Sequence, residues 1–347
     1  MQLSVLMAVH NGGEYLATAL ESISRQTFAP DEVVVVDDAS EDDTADILRQ
    51  YQRQLPLRIL ANSQRLGLTN SLRRGWTETR GEYVARMDAD DVSLPRRFAR
   101  QMARMVQDPS LGFCGTWARA FSGRSQPMRK PTRMEDLKAH IIWGNPFIHS
   151  SVMLKKSRFE AAKLAYDSAF PVAQDFDLWD RALEAGLSAA NLPEYLIAYR
   201  VHENNVTATR GRERIEAVMR IYKRQLLRMG MVASDIEVQI HRQIAELEVS
   251  DEGEHIKAAL AWLEKLVQSI PVGKQGVAFW SALRWAWYSV CYRNMILHNS
   301  QHPCLYWKGQ YMDPLGWRRW LLRAALGKKC VRQGFEKIIT GDQGWRR

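Results

Sequence analysis

The sequence predicts an α/β fold: a doubly wound, mostly parallel sheet flanked by helices, with a C-terminal helical extension. Residues 3–9 and 33–36 are apolar runs of strand length without polar alternation, typical of strands buried on both faces of a parallel sheet. Residues 16–23, between them, carry apolar side chains at helical spacing. Each run ends in turn-forming or acidic residues, which places polar groups at the carboxyl ends of strands, where open α/β sheets bind ligands.

The same alternation continues to about residue 202. Further strands are predicted at residues 57–60, 83–85, 112–117, 151–154 and 196–202. Helices are predicted at residues 42–51, 69–79, 97–106, 134–142 and 174–185, and residues 122–131 form a basic loop. From residue 211 the pattern is helical, with a capping box at Ser234-x-x-Glu237. We therefore expect an α/β domain over residues 1–209, with the polar strand ends as its candidate site, and a helical region over residues 210–347.

The net charge of +9 is unevenly distributed along the chain. Residues 274–347 hold thirteen Lys or Arg, three Asp or Glu and seven of the twelve Trp. A basic, Trp-rich tail is typical of segments that bind an anionic surface, and lipid headgroups are favoured over nucleic acid. Nucleic acid is not among the expected partners. The four cysteines form no C-x-x-C pair and no signal peptide is recognised, so we expect reduced thiols and a cytoplasmic location.

Two interpretations of the tail stay open. Trp317, Trp320, Leu321 and Ala324 recur at helical spacing with arginines on the other side, as in helices that lie on a membrane surface. Such a helix predicts peripheral contact with the inner face of the cytoplasmic membrane. Alternatively, the tail helices pack on the catalytic domain and their Trp side chains are core. Residues 277–297 are apolar, but Arg284 and Arg293 interrupt them, so no transmembrane span is predicted.

An acidic cluster, Arg86-Met87-Asp88-Ala89-Asp90-Asp91, directly follows the strand that ends at Ala85. Carboxylates crowded at the end of a strand repel one another unless a cation neutralises them. Mg²⁺ and Mn²⁺ prefer carboxylate oxygens and complete their shells with phosphate oxygens, so the cluster predicts a metal–diphosphate site. The alternative is that Asp90, Asp91 and Ser93 merely cap the following helix.

Several motifs occur in an order that resembles the family-2 glycosyltransferases, inverting nucleotide-sugar enzymes with the GT-A fold. They are Val5 to Asn11, Val35-Val36-Asp37-Asp38-Ala39-Ser40-x-x-x-Thr44, Asn62-x-x-x-x-Gly67-Leu68, Gly81-Glu82-Tyr83, the acidic cluster with Pro95-x-Arg97-Phe98, Gln174-Asp175-x-Asp177-Leu178-Trp179 and Tyr199-Arg200-x-His202. The match covers roughly residues 3–207. Its variants are similar to those of bacterial transferases that build surface polysaccharides.

The resemblance implies a role for each site residue. Asp38 would bind the uracil or ribose of the donor; Ala8, His10, Asn11, Arg65 and Asp88 would also contact the nucleotide. Asp88 and Asp90 would hold Mg²⁺ or Mn²⁺, with His202 as a further ligand. Asp175 would be the general base that deprotonates the acceptor hydroxyl. Simple helix-capping roles for Asp38 and Asp177, and a structural role for His149, are the alternatives.

The sequence departs from the family pattern near the expected base. Gln174 stands where the family usually has Glu, and Lys163-Leu164-Ala165-Tyr166 replaces a Gly-Gly-Tyr segment. We expect transfer of a sugar from a nucleotide-diphospho-sugar, with UDP favoured, to a saccharide or lipid-linked saccharide in bacterial polysaccharide or lipopolysaccharide assembly. A nucleotidyltransferase-like enzyme and a non-catalytic sugar-nucleotide-binding protein are the alternatives. The first is disfavoured because His10-Asn11-Gly12-Gly13 offers no cation for a phosphate loop.

Overall fold

The computed structural model describes residues 2–122, 125–202, 211–250, 252–269 and 277–292. The chain divides into two compact units, one of Met1–Leu137 with Asn145–Ala217 and one of Lys138–Gly144 with Val218–Arg347. The expected boundary at residue 209 and most of the basic tail, residues 293–347, lie outside the described residues.

The first unit is built on a nine-stranded sheet. Its strands are β1 (Leu3–Val9), β2 (Glu32–Asp37), β3 (Leu57–Ala61), β4 (Tyr83–Arg86), β5 (Val92–Ser93), β6 (Leu111–Phe121), β7 (Gln126–Met128), β8 (Met153–Lys155) and β9 (Ser188–Arg200). The order is β3-β2-β1-β4-β8-β6-β9-β5, with β7 paired to β6. Strands β3, β2, β1 and β4 are mutually parallel, whereas β8 pairs antiparallel with both β4 and β6. The expected α/β class with a parallel-rich sheet is confirmed.

Seven described helices connect these strands. They are α1 (Leu16–Ser24), α2 (Thr44–Tyr51), α3 (Leu68–Glu78), α4 (Arg97–Gln107), α5 (Met134–His140), α6 (Lys156–Ala161) and α7 (Gln174–Glu184). Of these, α5 begins in the first unit and ends in the second. Strands β1 and β2 are buried along their whole length, which explains their apolar sequences without alternation. A hydrophobic core cluster surrounds these strands and includes Leu20, Phe98 and Met153.

The sequence-based boundaries fail where strands pair over long distances. Strand β9 begins at Ser188, eight residues before the expected start, because it pairs with β6 from Leu111 to Phe121 through several irregularities in register. The expected loop at residues 122–131 contains β7. The helix-capping alternative for the acidic cluster is wrong: α4 begins at Arg97 with no side-chain cap, and β5 lies between it and Asp91.

The second unit is helical, with α8 (Gly211–Arg228, which begins in the first unit), α9 (Asp235–Ala245), α10 (Gly253–Ser269) and α11 (Val277–Tyr292). The Ser234–Glu237 capping box forms as expected. His241 is buried among aromatic rings: it stacks on Trp143 at 4.6 Å between ring centroids, and Nε2–H donates to the Ile142 carbonyl. No helix within the described residues has the length and apolarity needed to cross a membrane.

Candidate active site

A cleft of about 340 Å³ opens at the carboxyl ends of β1, β2 and β4. Its lining includes every residue that the sequence assigned to nucleotide or metal: Ala8, His10, Asn11, Asp38, Arg65, Asp88, Asp90 and His202. These residues come from five separate segments of the chain between positions 8 and 202. The parallel half of the sheet brings the first loops together, because the carboxyl ends of its strands lie along one edge.

The loop after β1 is fixed by the loop after β2. Asn11 has φ of 51°, and its backbone N–H donates to Ser40 Oγ at 2.9 Å. The Gly12 N–H donates to Thr44 Oγ1 at 2.8 Å, and a Cβ on Gly12 would approach Val9 Cγ2 to 2.4 Å. One wall of the cleft is therefore organised before any ligand arrives.

Asp38 is a buried carboxylate in the cleft, and its hydrogen bonds fix the segment that follows β3. Oδ1 accepts from Asn62 Nδ2 at 2.6 Å and from the Leu66 N–H at 2.8 Å, and Oδ2 accepts from the Gly67 N–H at 2.7 Å. Burial raises the pKa of Asp38, but these hydrogen bonds outweigh it, so the pKa lies below its ordinary value. Asp38 does not cap a helix, since α2 begins six residues later. The second lone pair of Oδ2 leaves room for one further donor.

Asp88 and Asp90 differ although they belong to one motif. Arg86, fully buried, donates to Asp88 Oδ1. Burial raises the pKa of Asp88, yet the Arg86 charge and its hydrogen bond bring the pKa below its ordinary value. The pKa of Asp90 is raised by burial and by the Asp88 charge, and its hydrogen bond with His202 only partly offsets this. The Arg86 charge therefore compensates the negative charge of Asp88, whereas the negative charge of Asp90 is only partly offset.

His202 reaches Asp90 through the pairing of two strands. Val92 and Ser93 of β5 pair antiparallel with Ala198 and Ile197 of β9. The buried Asp91 carboxylate accepts from the Arg200 N–H at 2.8 Å, which fixes the end of β9 beside the acidic cluster. The chain then places His202 Nε2 3.0 Å from Asp90 Oδ2.

The donor groups at Asp90 fit a divalent cation. Among the described residues no three His, Cys, Asp or Glu side chains are grouped as metal ligands, so the protein would supply at most two ligands here and leave positions for oxygens of a bound substrate. Carboxylate oxygen and neutral imidazole nitrogen together suit Mn²⁺. Burial and then the Asp88 charge raise the pKa of Asp90, and a cation at this point would stabilise its ionised form.

Asp175 lies beyond the residues that line the cleft, in the first turn of α7. Asn145 Nδ2 donates to its Oδ2 at 2.6 Å, and Lys130 Nζ donates to the Asn145 carbonyl at 2.7 Å. Burial lowers the pKa of Lys130 to about 8, partly countered by the Asp175 charge. Asp177 is different: it is buried in an ion pair with Arg181 at 2.6 Å, as expected of a structural residue.

A buried network connects the Asp175 region with the cleft. His149 Nε2 accepts from Arg86 Nε at 3.2 Å and lies 2.8 Å from the Tyr166 hydroxyl. Burial and then the Arg86 charge lower the pKa of His149 to about 4, so its ring is neutral. The sequence identified His149 as a residue of uncertain role. It named Arg86 in the acidic cluster and Tyr166 in the segment that departs from the family pattern, without a role for either, and it missed Lys130 and Asn145.

Comparisons with known proteins agree with this architecture. The family model "Glycosyl transferase family 2" matches residues 4–163. The amylovoran biosynthesis glycosyltransferase AmsE of Erwinia amylovora is 30% identical over 228 residues, which are 64% of this chain and 85% of AmsE.

Two solved structures share the fold at low sequence identity. Residues 1–349 of S. aureus TarS, crystallised with UDP-GlcNAc, give a TM-score of 0.58 at 17% identity over 86% of this chain and 93% of that one. The mannosyltransferase PcManGT of Pyrobaculum calidifontis, in complex with GDP-Man and Mn²⁺, gives a TM-score of 0.54 at 18% identity over 90% of this chain and 87% of that one. The chain has the GT-A fold and belongs to glycosyltransferase family 2.

Proposed function

We propose that this family-2 glycosyltransferase transfers a sugar, with inversion, from a nucleotide-diphospho-sugar to a saccharide hydroxyl. The observation that carries the proposal is the cleft where Asp38, Asp90 and His202 meet. A nucleoside diphosphate needs a polar anchor for its nucleoside and a counter-charge for its diphosphate. Asp38 offers the first, and the uncompensated carboxylate of Asp90 beside His202 offers a cation site for the second.

The donor is proposed to be UDP-linked. Asp38 Oδ2 can accept from a ring N–H or a ribose hydroxyl, and Arg65 and Asn11 lie on opposite loops of the same cleft. The neighbour TarS was crystallised with UDP-GlcNAc, whereas PcManGT was crystallised with GDP-Man. We expect the nucleobase of the donor to lie against the wall of the cleft formed by Ala8, His10 and Asn11.

Mg²⁺ or Mn²⁺ would be held by Asp90 and His202, with Asp88 behind them. When bound, the cation supplies Lewis-acid stabilisation of the leaving diphosphate. The protein's part is to fix these two side chains: Arg200 donates from Nε to the Asp90 carbonyl at 2.8 Å, and Tyr15 packs on the His202 ring at 5.0 Å. Asp88, paired with Arg86, would position the diphosphate side of the cleft and adds little free charge.

Asp175 is proposed as the general base. Inversion needs a carboxylate that removes the proton of the acceptor hydroxyl as its oxygen attacks the anomeric carbon. Asn145 occupies one oxygen of Asp175 and thereby orients the other. The first turn of α7 also favours a negative charge, since the helix dipole is positive there.

The acceptor is proposed to be a saccharide or lipid-linked saccharide in bacterial polysaccharide or lipopolysaccharide assembly. The support is the relative AmsE, a glycosyltransferase of amylovoran biosynthesis. A cytoplasmic location with peripheral contact of the C-terminal tail on the membrane would suit a lipid-linked acceptor. This part of the proposal rests on the sequence, because residues 293–347 of the tail lie outside the described residues.

The test is a panel of nucleotide sugars incubated with the protein and Mn²⁺, scored by nucleotide release. We expect release with one or a few UDP-sugars, its loss in EDTA and its return with Mn²⁺ or Mg²⁺. Full activity in EDTA would refute the metal role. Binding of a nucleotide sugar without release, with or without saccharide acceptors, would favour a non-catalytic binding protein instead.

A further inference from the structure

The outward face of β6 and β9 carries two arginines and two aromatic rings in contact with one another. Trp117 and Arg119 lie on this face of β6, with the buried Ala118 between them, and Trp117 is the register partner of Tyr195 on β9. Arg129, just after β7, completes the group. We name these four residues the arginine–aromatic platform.

Cation–π contacts hold both guanidinium groups in place. The Cζ atom of Arg119 lies 4.9 Å from the centroid of the Tyr195 ring. Arg129 Cζ lies 5.2 Å from the Trp117 ring and 5.6 Å from the Tyr195 ring, and Arg129 Nε donates to the Tyr195 hydroxyl. Aromatic rings orient a guanidinium without neutralising it, so the two positive charges remain available.

Neither arginine of the platform contacts a carboxylate within the described residues. The contrast with Arg100 is direct: it forms a bidentate pair with Glu194, the residue next to Tyr195. Nη1 of Arg129 is buried and has no hydrogen-bond partner among the described residues. Two guanidiniums held against the same Tyr195 ring, without a paired carboxylate among the described residues, suit a planar or tetrahedral anion.

Hydrogen bonds connect the platform to Asp175. Trp117 Nε1 donates to the Lys130 carbonyl at 2.9 Å, and Lys130 Nζ donates to the Asn145 carbonyl at 2.7 Å. Asn145 Nδ2 in turn donates to Asp175 Oδ2 at 2.6 Å. A ligand on the platform would therefore lie beside Lys130, whose side chain contacts the residue that orients Asp175, and none of the four platform residues lines the proposed nucleotide cleft.

We propose that the platform binds the acceptor, and that the acceptor saccharide carries a negative charge, as phosphate or carboxylate, near the hydroxyl that is glycosylated. This inference rests on the proposed function, because Asp175 defines which side of the site the acceptor occupies. The arginines select the anion, and the rigid aromatic rings hold the arginines so that little side-chain entropy is lost on binding.

The test measures binding without turnover. The protein, saturated with UDP and Mn²⁺ so that the donor cleft is filled, is titrated with glucose 1-phosphate, glucuronate and glucose, and binding is followed by saturation-transfer NMR. We expect at least one charged sugar to bind at least about tenfold more tightly than glucose. Preference for glucose 1-phosphate indicates a phosphate-bearing acceptor, and preference for glucuronate indicates an acidic saccharide.

The variants Arg119→Gln and Arg129→Gln should each weaken binding of the charged sugar about tenfold, the loss expected for one charge-assisted hydrogen bond. Arg119 is exposed, so its variant should fold normally. Arg49→Gln, which removes the same charge from an exposed helix position, is the matched control and should bind as the unchanged protein does.

Equal binding of glucose and the charged sugars would overturn the proposal, and so would unchanged affinity in both platform variants or no binding of any of the three. Asp175→Asn should retain binding to the platform. If Asp175 is not the base, Asp175→Asn will keep near-normal turnover, and this result leaves binding to the platform unaffected. The two proposals can therefore fail separately.

Discussion

The two sides of the site are built differently. On the donor side, loops hydrogen-bond to one another: Asp38 accepts three protein hydrogen bonds, and Asn11 and Gly12 are fixed by the loop after β2. On the other side, Asp175 is oriented by Asn145, which lies on a loop between β7 and β8. The donor side is a pre-organised wall, whereas the Asp175 side depends on a few contacts between irregular segments.

The family model covers these two sides unequally. It matches residues 4–163, which include Asp38, Asp88 and Asp90 and end before Asp175 and His202. The matched part of the chain thus holds most of the donor side, together with Asn145 and the platform residues of β6. Asp175, Tyr195 and His202 lie beyond it, so each side of the site also uses residues outside the match.

The largest expected effect separates chemistry from donor binding. Asp175→Asn keeps the size of the side chain and removes its ability to accept a proton. We expect turnover to fall about 10²–10⁴-fold, the usual contribution of a general base. Affinity for UDP with Mn²⁺, measured by calorimetry, should stay unchanged, because the donor side does not include Asp175.

Asp177→Asn is the matched control on the same helix. It breaks the buried ion pair with Arg181, so the melting temperature should fall while turnover per folded molecule stays near normal. If Asp175→Asn keeps near-normal turnover and Asp177→Asn loses it, the base is Asp177.

A smaller effect is expected at the metal. His202→Gln can still hydrogen-bond to Asp90 but is a poor metal ligand. Affinity for UDP in the presence of Mn²⁺ should fall about 10–100-fold, as is typical when support for a metal site is lost. Affinity measured in EDTA should not change, and His255→Gln, exposed in the second unit, should match the unchanged protein. Equal losses with and without metal would mean that His202 contacts the nucleotide itself.

The same comparison explains what the sequence could predict. Polar residues directly after parallel strands must meet at one edge of the sheet, so Asp38, Asp88 and Asp90 followed from strand patterns and motif spacing. Arg86, Lys130 and Tyr166 did not follow, because their roles depend on antiparallel pairing of β8 and on loops between β6 and β9. Pairing over such separations leaves no local pattern in the sequence, and the extent of β9 was missed for the same reason.

The smallest expected effect is on the pH dependence of stability and turnover. It distinguishes His149, which lies in the site, from His241, which lies in the second unit. Burial lowers the pKa of each to about 4, below the value of about 6.5 for an unfolded chain. Between these values the unfolded state binds protons that the folded state does not. The stability that each neutral, buried histidine contributes is therefore fully present above about pH 6.5 and is lost as the pH falls towards 4.

At pH 5.5, His241 should lower the free energy of unfolding by about 1.4 kcal/mol relative to pH 8, and the partly exposed His149 by less. Gln can replace both hydrogen bonds of His241, to the Ile142 carbonyl and from Trp262 Nε1, without titrating. His241→Gln should flatten the pH dependence of the free energy of urea unfolding. It should not change the decline of turnover at acid pH, the acid limb of the turnover profile. His149→Gln should shift that acid limb, because His149 accepts from Arg86, which holds Asp88. Identical pH profiles of turnover for the two variants would show that the His149 network does not couple the two sides.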